Sequence, residues 1–303
     1  MKTIKKIMVG IFTVFVLSLL AGYFYFDRKF TPEENTLILK NESGKIPIQW
    51  VDESKSALLL PIHFKGDSVT YYLQWDTGSP STVFYKKAIQ KIPKIQIQDH
   101  TAKCLFTIGN TEIQSEKIKI LDFGKENDSA RFKIIGTLGA DVLENRKTVL
   151  NFKDNTIELN LKTIPSHFRG KAFGFELKKR KIIIPALLNG KKEKYLYDSG
   201  SSAYELLTNK ENWEQLKTPH AKIEKEHGNS WGNILTTYTA TSENQIDFGG
   251  TKVTLNKVTY VEGYSKTQYL LMKFSGMSGM LGNALFLNNE IFIDAEHLEM
   301  GIR

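Results

Sequence analysis

The chain is predicted to be all-β, two duplicated β lobes preceded by one transmembrane helix, and three observations lead there. A short word occurs twice, as Asp76-Thr77-Gly78-Ser79 and as Asp198-Ser199-Gly200-Ser201. Each copy follows an apolar, aromatic-rich run with strand character, Tyr71 to Trp75 in one case and Tyr195 to Tyr197 in the other. Ahead of both, Ile7 to Phe26 carries no charged side chain and is long enough to cross a bilayer as a helix.

Lys2, Lys5 and Lys6 precede that apolar run, and Asp27-Arg28-Lys29 follow it. A cleavable secretory signal has a shorter apolar region and a small-x-small cleavage site, which Leu19-Leu20-Ala21 matches poorly. Residues 1–29 are therefore expected to be an uncleaved signal anchor in the cytoplasmic membrane. The lysines favour a cytoplasmic amino end, which would place the rest of the chain on the periplasmic or extracellular face.

Residues 30–162 are expected to form the first lobe, 163–172 a linker broken by Pro165 and Gly170, and 173–303 the second lobe. Upstream of each Asp word lies a matched strand, Leu58-Leu59-Leu60-Pro61 or Ile182-Ile183-Ile184-Pro185. Downstream, Phe106 to Ile113 matches Ile246 to Val253, both reading as hairpins that turn on Gly109-Asn110 or Gly249-Gly250. Gly136 to Leu143 then answers Gly279 to Phe286. Each half ends on a closing hairpin, turning at Lys153-Asp154-Asn155 between Leu150, Phe152, Ile157 and Leu159, or at Asp294-Ala295-Glu296 between Ile291, Ile293, Leu298 and Met300. Matched blocks in one order argue for duplication. Two short helices are expected besides, over Lys86 to Ile92 and from a capping box at Thr208-Asn209-Lys210-Glu211 through Trp213 and Leu216.

The repeated word has a physical logic of its own. A carboxylate at a strand end is followed by a hydroxyl residue, a Gly that permits a tight turn, and a second hydroxyl. Gly78 and Gly200 are expected to take backbone angles costly for other residues and so let the loops approach one another. Two carboxylates held about 3 Å apart cannot both ionise, so one keeps its proton while the other acts as a base.

In these words and in the Gly blocks behind them, the chain resembles the pepsin-like aspartic proteases, two-lobed relatives of the dimeric retropepsins, from about Lys45 to Arg303. The resemblance implies a bilobal fold in which each lobe gives one Asp loop to a central cleft and rests it on a hydrophobic-hydrophobic-Gly segment. Thr137-Leu138-Gly139 and Met280-Leu281-Gly282 match that segment, the first with Thr at an apolar position. It further implies an aspartic endopeptidase in which Asp76 and Asp198 hold the attacking water. Ser79 and Ser201 would donate hydrogen bonds to their own Asp, and Thr77 and Ser199 would bond across to the opposite loop. Two features depart from the pattern. Pro80 follows the first word, and no Tyr occurs between Tyr85 and Tyr195 to serve as the tip of a first-lobe flap. The second half is longer between Asp198 and Gly249, and its surplus includes Gly228-Asn229-Ser230-Trp231-Gly232 between segments able to pair, Ile223 to His227 and Ile234 to Ala240. A flap from the second lobe is expected, with Trp231 covering a bound peptide.

Composition bounds the rest. One Cys excludes an internal disulfide framework, and Cys104, in an apolar strand, is expected as a buried small side chain. The formal charge of +8 comes from scattered lysines and does not indicate nucleic-acid binding. Six His residues show neither an H-E-x-x-H run nor Cys partners, so no metal and no organic cofactor is expected. The expected partners are a polypeptide substrate and the cytoplasmic membrane through Ile7 to Phe26, with the chain a monomer. The alternative function is a catalytically inactive, membrane-tethered peptide-binding module of the same fold.

Overall fold

The computed structural model describes residues 2–122, 131–230, 233–263 and 275–303. The chain divides into two units, Met1–Glu34 and Asn35–Arg303. The first is a helix over Lys2–Phe30. Its segment Ile11–Phe30 is long and apolar enough to cross a membrane, and none of it is buried against protein. The helix runs past the apolar stretch read from sequence, and the Thr31 hydroxyl caps its end by donating to the Asp27 carbonyl at 2.7 Å.

The second unit is mostly β and holds three sheets. In the first sheet the strands lie in the order Gln49–Trp50, Leu58–Ile62, Tyr71–Trp75, Ile134–Leu138, Val83–Tyr85, Thr111–Leu121, Thr101–Ile108, Gln96–Gln98, with Ile38–Lys40 added beside Thr111–Leu121. In the second they lie in the order Glu176–Lys178, Lys181–Leu188, Lys191–Tyr197, Gly279–Leu281, Leu206–Thr208, Thr251–Glu262, Asn233–Phe248, Glu224–Ser230. The two orders correspond strand for strand, and so do the directions. The strand leading into each Asp runs parallel to a Gly-containing strand. That strand is antiparallel to the one leaving the Asp loop, which in turn runs parallel to a long hairpin strand. Alternation decides which side chains face inward. Tyr71, Leu73 and Trp75 are buried while Tyr72 and Gln74 are only partly so, as a strand with one covered face requires.

The third sheet takes strands from both halves of the sequence, in the order Phe173–Gly174, Glu299–Ile302, Glu290–Asp294, Lys147–Asn151, Thr156–Leu161, Ile46–Pro47. At its centre the closing hairpins of the two halves pair antiparallel, from Lys147 opposite Asp294 to Asn151 opposite Glu290. One hydrophobic cluster runs through the unit and includes Trp75, Phe84 and Phe106 together with Tyr197, Phe248 and Phe286. A smaller one, Val149, Phe168 and Phe292, includes a residue of the expected linker. Phe168 stacks on Phe292 with ring centroids 5.4 Å apart, and a Cβ on Gly301 would come within 2.5 Å of the Phe168 ring. Phe168 thus anchors the segment between the halves, most of whose other residues are exposed.

Several local expectations needed adjustment. The first short helix covers only Lys86–Ile89. The second, Lys210–Leu216, is capped by Asn209, whose side chain accepts from the Asn212 N–H at 2.8 Å. Thr208 is not the cap, because its hydroxyl donates to the Ser278 carbonyl at 2.6 Å. Leu298 is a turn residue with φ of 58° instead of a strand residue, and it is 41 % exposed. The Gly hairpins stand where expected, with Gly109 at φ of 56° and Gly249 and Gly250 at 60° and 98°, the left-handed angles that two-residue turns demand. Cys104 is buried, and burial pushes its thiol up to about 12, which leaves it unreactive.

Candidate active site

Asp76 and Asp198 each sit one residue past a strand end, and each is pinned there by the neighbouring parallel strand. The Asp76 N–H donates to the Leu138 carbonyl at 3.0 Å and the Asp198 N–H to the Leu281 carbonyl at 2.9 Å. The chain then turns back so that N–H groups point at the carboxylates. Gly78 N–H and Ser79 N–H donate to Asp76 Oδ1 at 2.9 and 3.1 Å. Gly200 N–H donates to Asp198 Oδ1 at 2.9 Å, and the Ser201 hydroxyl donates to Oδ2 at 2.9 Å.

Two buried hydroxyls join the loops. Thr77 N–H donates to Ser199 Oγ at 2.9 Å, and Ser199 N–H donates to Thr77 Oγ1 at 3.0 Å. The same hydroxyls donate onward, Thr77 to the Tyr197 carbonyl at 2.9 Å and Ser199 to the Trp75 carbonyl at 3.2 Å. Thr77 and Ser199 are 1 % and 0 % exposed, so water offers these groups no alternative partner. Only a side chain that both donates and accepts from one atom completes the set.

The glycines bring the carboxyls together. A Cβ on Gly78 would lie 2.4 Å from Asp198 Oδ1, and a Cβ on Gly200 would lie 2.5 Å from Asp76 Oδ1. Each carboxyl therefore rests against the glycine of the opposite loop. This corrects the reason expected from sequence: neither glycine is among the residues with positive φ, so what excludes a side chain is the approach of the opposing Asp. The two carboxyls thereby face one another across the junction of the loops. Burial first, and the charge of Asp198 second, push the Asp76 carboxyl up to about 7, against the pull of the Ser79 and Gly78 N–H groups.

Behind each loop stands its Gly segment. A Cβ on Gly139 would lie 2.4 Å from the Ser81 carbonyl carbon, and one on Gly282 would lie 2.1 Å from the Ser201 carbonyl oxygen. The Thr at the apolar position of the first segment has a partner, since the Thr137 and Tyr85 hydroxyls lie 2.6 Å apart. Ser79 departs from expectation, because its hydroxyl donates to the Ser81 carbonyl at 2.8 Å and it serves Asp76 through its backbone alone.

Sequence reasoning missed the side chains that hold the loops from behind. Tyr197 hydroxyl donates to Asn283 Oδ1 at 2.8 Å, and Asn283 Nδ2 donates to the Ser199 carbonyl at 3.3 Å and to Ser202 Oγ at 3.0 Å. On the first loop, Asp141 accepts from the Thr82 N–H at 2.6 Å and hydroxyl at 2.7 Å. Their signal in the sequence is weak: Asn283 directly follows Gly282, and Asp141 lies two residues after Gly139. Trp231 and Gly232 lie outside the described residues, but the strands below them pair from Glu224 opposite Thr239 to Ser230 opposite Asn233. Among the described residues, the one group of side chains spaced to hold a metal ion is Asp294, Glu296 and His297. The Lys147 ammonium already stands beside it, bonded to Glu296 and 3.7 Å from Asp294.

No protein-family model matches the chain, and no curated protein matches it either.

Proposed function

We propose that the protein is an aspartic endopeptidase of pepsin-like, bilobal fold, hydrolysing peptide bonds with a water held between Asp76 and Asp198. The observation that carries this reading is the reciprocal packing of the two carboxyls, each against the glycine of the opposite loop. The correspondence of the first and second sheets in strand order and direction supports two duplicated lobes, over residues 35–162 and 173–303, the first starting a few residues later than the sequence suggests because the helix runs to Phe30. In this chemistry the ionised member of the pair takes a proton from the water while the protonated member hydrogen-bonds the scissile carbonyl. The charge of Asp198 helps hold the proton on Asp76, so the roles of acid and base are assigned to the pair. The N–H groups of Gly78, Ser79 and Gly200 orient the carboxyls, and the Thr77–Ser199 bonds fix their spacing.

The longer hairpin of the second half supports a flap from that side. Glu224–Ser230 pairs along its whole length, whereas the strand at the same place in the first sheet, Gln96–Gln98, pairs over three residues. The apolar helix and its amino-terminal lysines support a signal anchor with the lobes outside the cytoplasm.

The test is digestion of a mixed peptide library by the full chain in detergent micelles, with and without a statine-type transition-state mimic. Cleavage that the mimic blocks, and that Asp76→Asn or Asp198→Asn abolishes without unfolding, is the expected result. Peptide binding without any cleavage would overturn it in favour of the binding module. Activity should fall as pH rises through about 7, where Asp76 gives up the proton that the pair must keep.

A further inference from the structure

We propose that Arg180 is a positioning residue for the carboxyl pair, holding the Asp76 loop in its working shape from the other half of the chain. The proposal rests on the aspartic-protease reading above. Arg180 and Lys179 form the turn between Glu176–Lys178 and Lys181–Leu188, where Lys178 stands opposite Lys181. Both turn residues have positive φ, 62° and 53°, a conformation that suits Asn or Gly and costs a residue with a long side chain. The turn therefore carries an arginine against its local backbone preference, and the contacts of that arginine supply the reason.

The Arg180 side chain is only 7 % exposed. Its Nε donates to Glu144 Oε2 at 3.1 Å, and a terminal nitrogen reaches Ser81 Oγ at 3.3 Å and the Pro80 carbonyl at 3.5 Å. A buried cation needs such a counter-charge, and Glu144 is held in place for it by Asn35 Nδ2 at 2.9 Å. Pro80 has no N–H, so its carbonyl is the backbone group left to grip. The first loop is consequently held residue by residue. The Ser79 hydroxyl is drawn to the Ser81 carbonyl, Arg180 takes Pro80 and Ser81, and Asp141 takes Thr82. The chain of bonds ends on the pair itself, through the Ser79 N–H on Asp76 Oδ1 at 3.1 Å.

The second loop has a different support. Asn283, Tyr197 and Ser202 hold it through neutral groups, and Ser201 meets Asp198 with its hydroxyl, whereas Ser79 meets Asp76 with its N–H. The two loops, alike in sequence, thus present different donors to their carboxyls, and two side chains of opposite charge, Arg180 and Asp141, grip the first loop where they differ. Its loss would release Pro80 and Ser81 and loosen the Ser79 N–H from Asp76. Because that N–H favours the ionised carboxylate, Asp76 would hold its proton to higher pH.

The experiment is a carboxyl-carbon NMR titration of the full chain in micelles, labelled at Asp and assigned with Asp76→Asn, for the wild type, Arg180→Met and Arg180→Lys. Arg180→Met should still unfold cooperatively on heating, yet its Asp76 resonance should titrate at higher pH than in the wild type. Arg180→Lys keeps the charge without the planar fork and should fall between them. On a cleaved peptide, kcat for Arg180→Met should drop about tenfold with KM changed less than about twofold, the mark of misplaced reacting groups. An Asp76 titration identical in wild type and Arg180→Met would overturn the proposal and leave Arg180 an ordinary structural ion pair. If Arg180→Met fails to fold, Ser81→Ala removes one guanidinium contact and is read by the same titration with the same two outcomes. A wild type without peptidase activity would sink the functional reading, whereas the titration decides the role of Arg180 either way.

Discussion

At the scale of single residues, the site depends on groups that have no spare partners. The Ser199 hydroxyl accepts from the Thr77 N–H and donates to the Trp75 carbonyl, all without access to water. Ser199→Ala strands both backbone groups, at about 1–3 kcal/mol each, so urea unfolding should show a loss of roughly 2–5 kcal/mol. A loss under about 1 kcal/mol would mean that the two groups find each other or a water. Asp76 makes a second prediction. Its carboxyl is raised from 3.8 to about 7 in the folded chain, so between those values the folded state holds more proton than the unfolded one. Stability attributable to this group is then highest below pH 4 and is lost as pH rises toward 7. Asp76→Asn should therefore raise the melting temperature relative to wild type at pH 8, by on the order of a few kcal/mol in stability, and bring little change at pH 4. Equal effects at both pH values would show that the carboxyl is not perturbed.

The elements decide where those residues stand. Each Asp leaves a strand whose parallel neighbour accepts its N–H, and that neighbour continues into a glycine lying flush against the Asp loop. A methyl on Gly282 would have to displace the Ser201 carbonyl at 2.1 Å and the Tyr204 carbonyl at 2.4 Å. Gly282→Ala should cost about 1–3 kcal/mol by overpacking and abolish cleavage, because backbone so close to Asp198 cannot shift without moving it. Gly174→Ala, with open space around the new methyl, is the matched control and should leave both melting and cleavage unchanged. The hairpins were legible from Gly109-Asn110 and Gly249-Gly250 because turn chemistry is local. The capping register at Asn209 was misread by one residue, because Thr208 finds a better acceptor in Ser278, far along the chain.

For the whole molecule, the decisive element is the third sheet. Lys147–Asn151 and Glu290–Asp294 pair at its centre, and every residue of the latter strand is buried. Neither half completes this sheet alone, so residues 35–303 should unfold in one transition. Intrinsic fluorescence and far-ultraviolet circular dichroism should follow the same urea curve, and separated midpoints would show that the halves melt independently.

Sequence alone determined the repeated Asp words, the matched blocks around them, the hairpin turns and the apolar helix, since each of these is written in the chemistry and periodicity of a few neighbouring residues. Tertiary structure alone decided why Gly78 and Gly200 must be glycine, why Thr137 stands at an apolar position, and which of Asn283, Asp141 and Arg180 supports which loop. Those answers depend on distances between groups far apart along the chain. A linear pattern records which side chains are present, while their partners, their burial and the shift of the Asp76 carboxyl are set by what the fold packs against them.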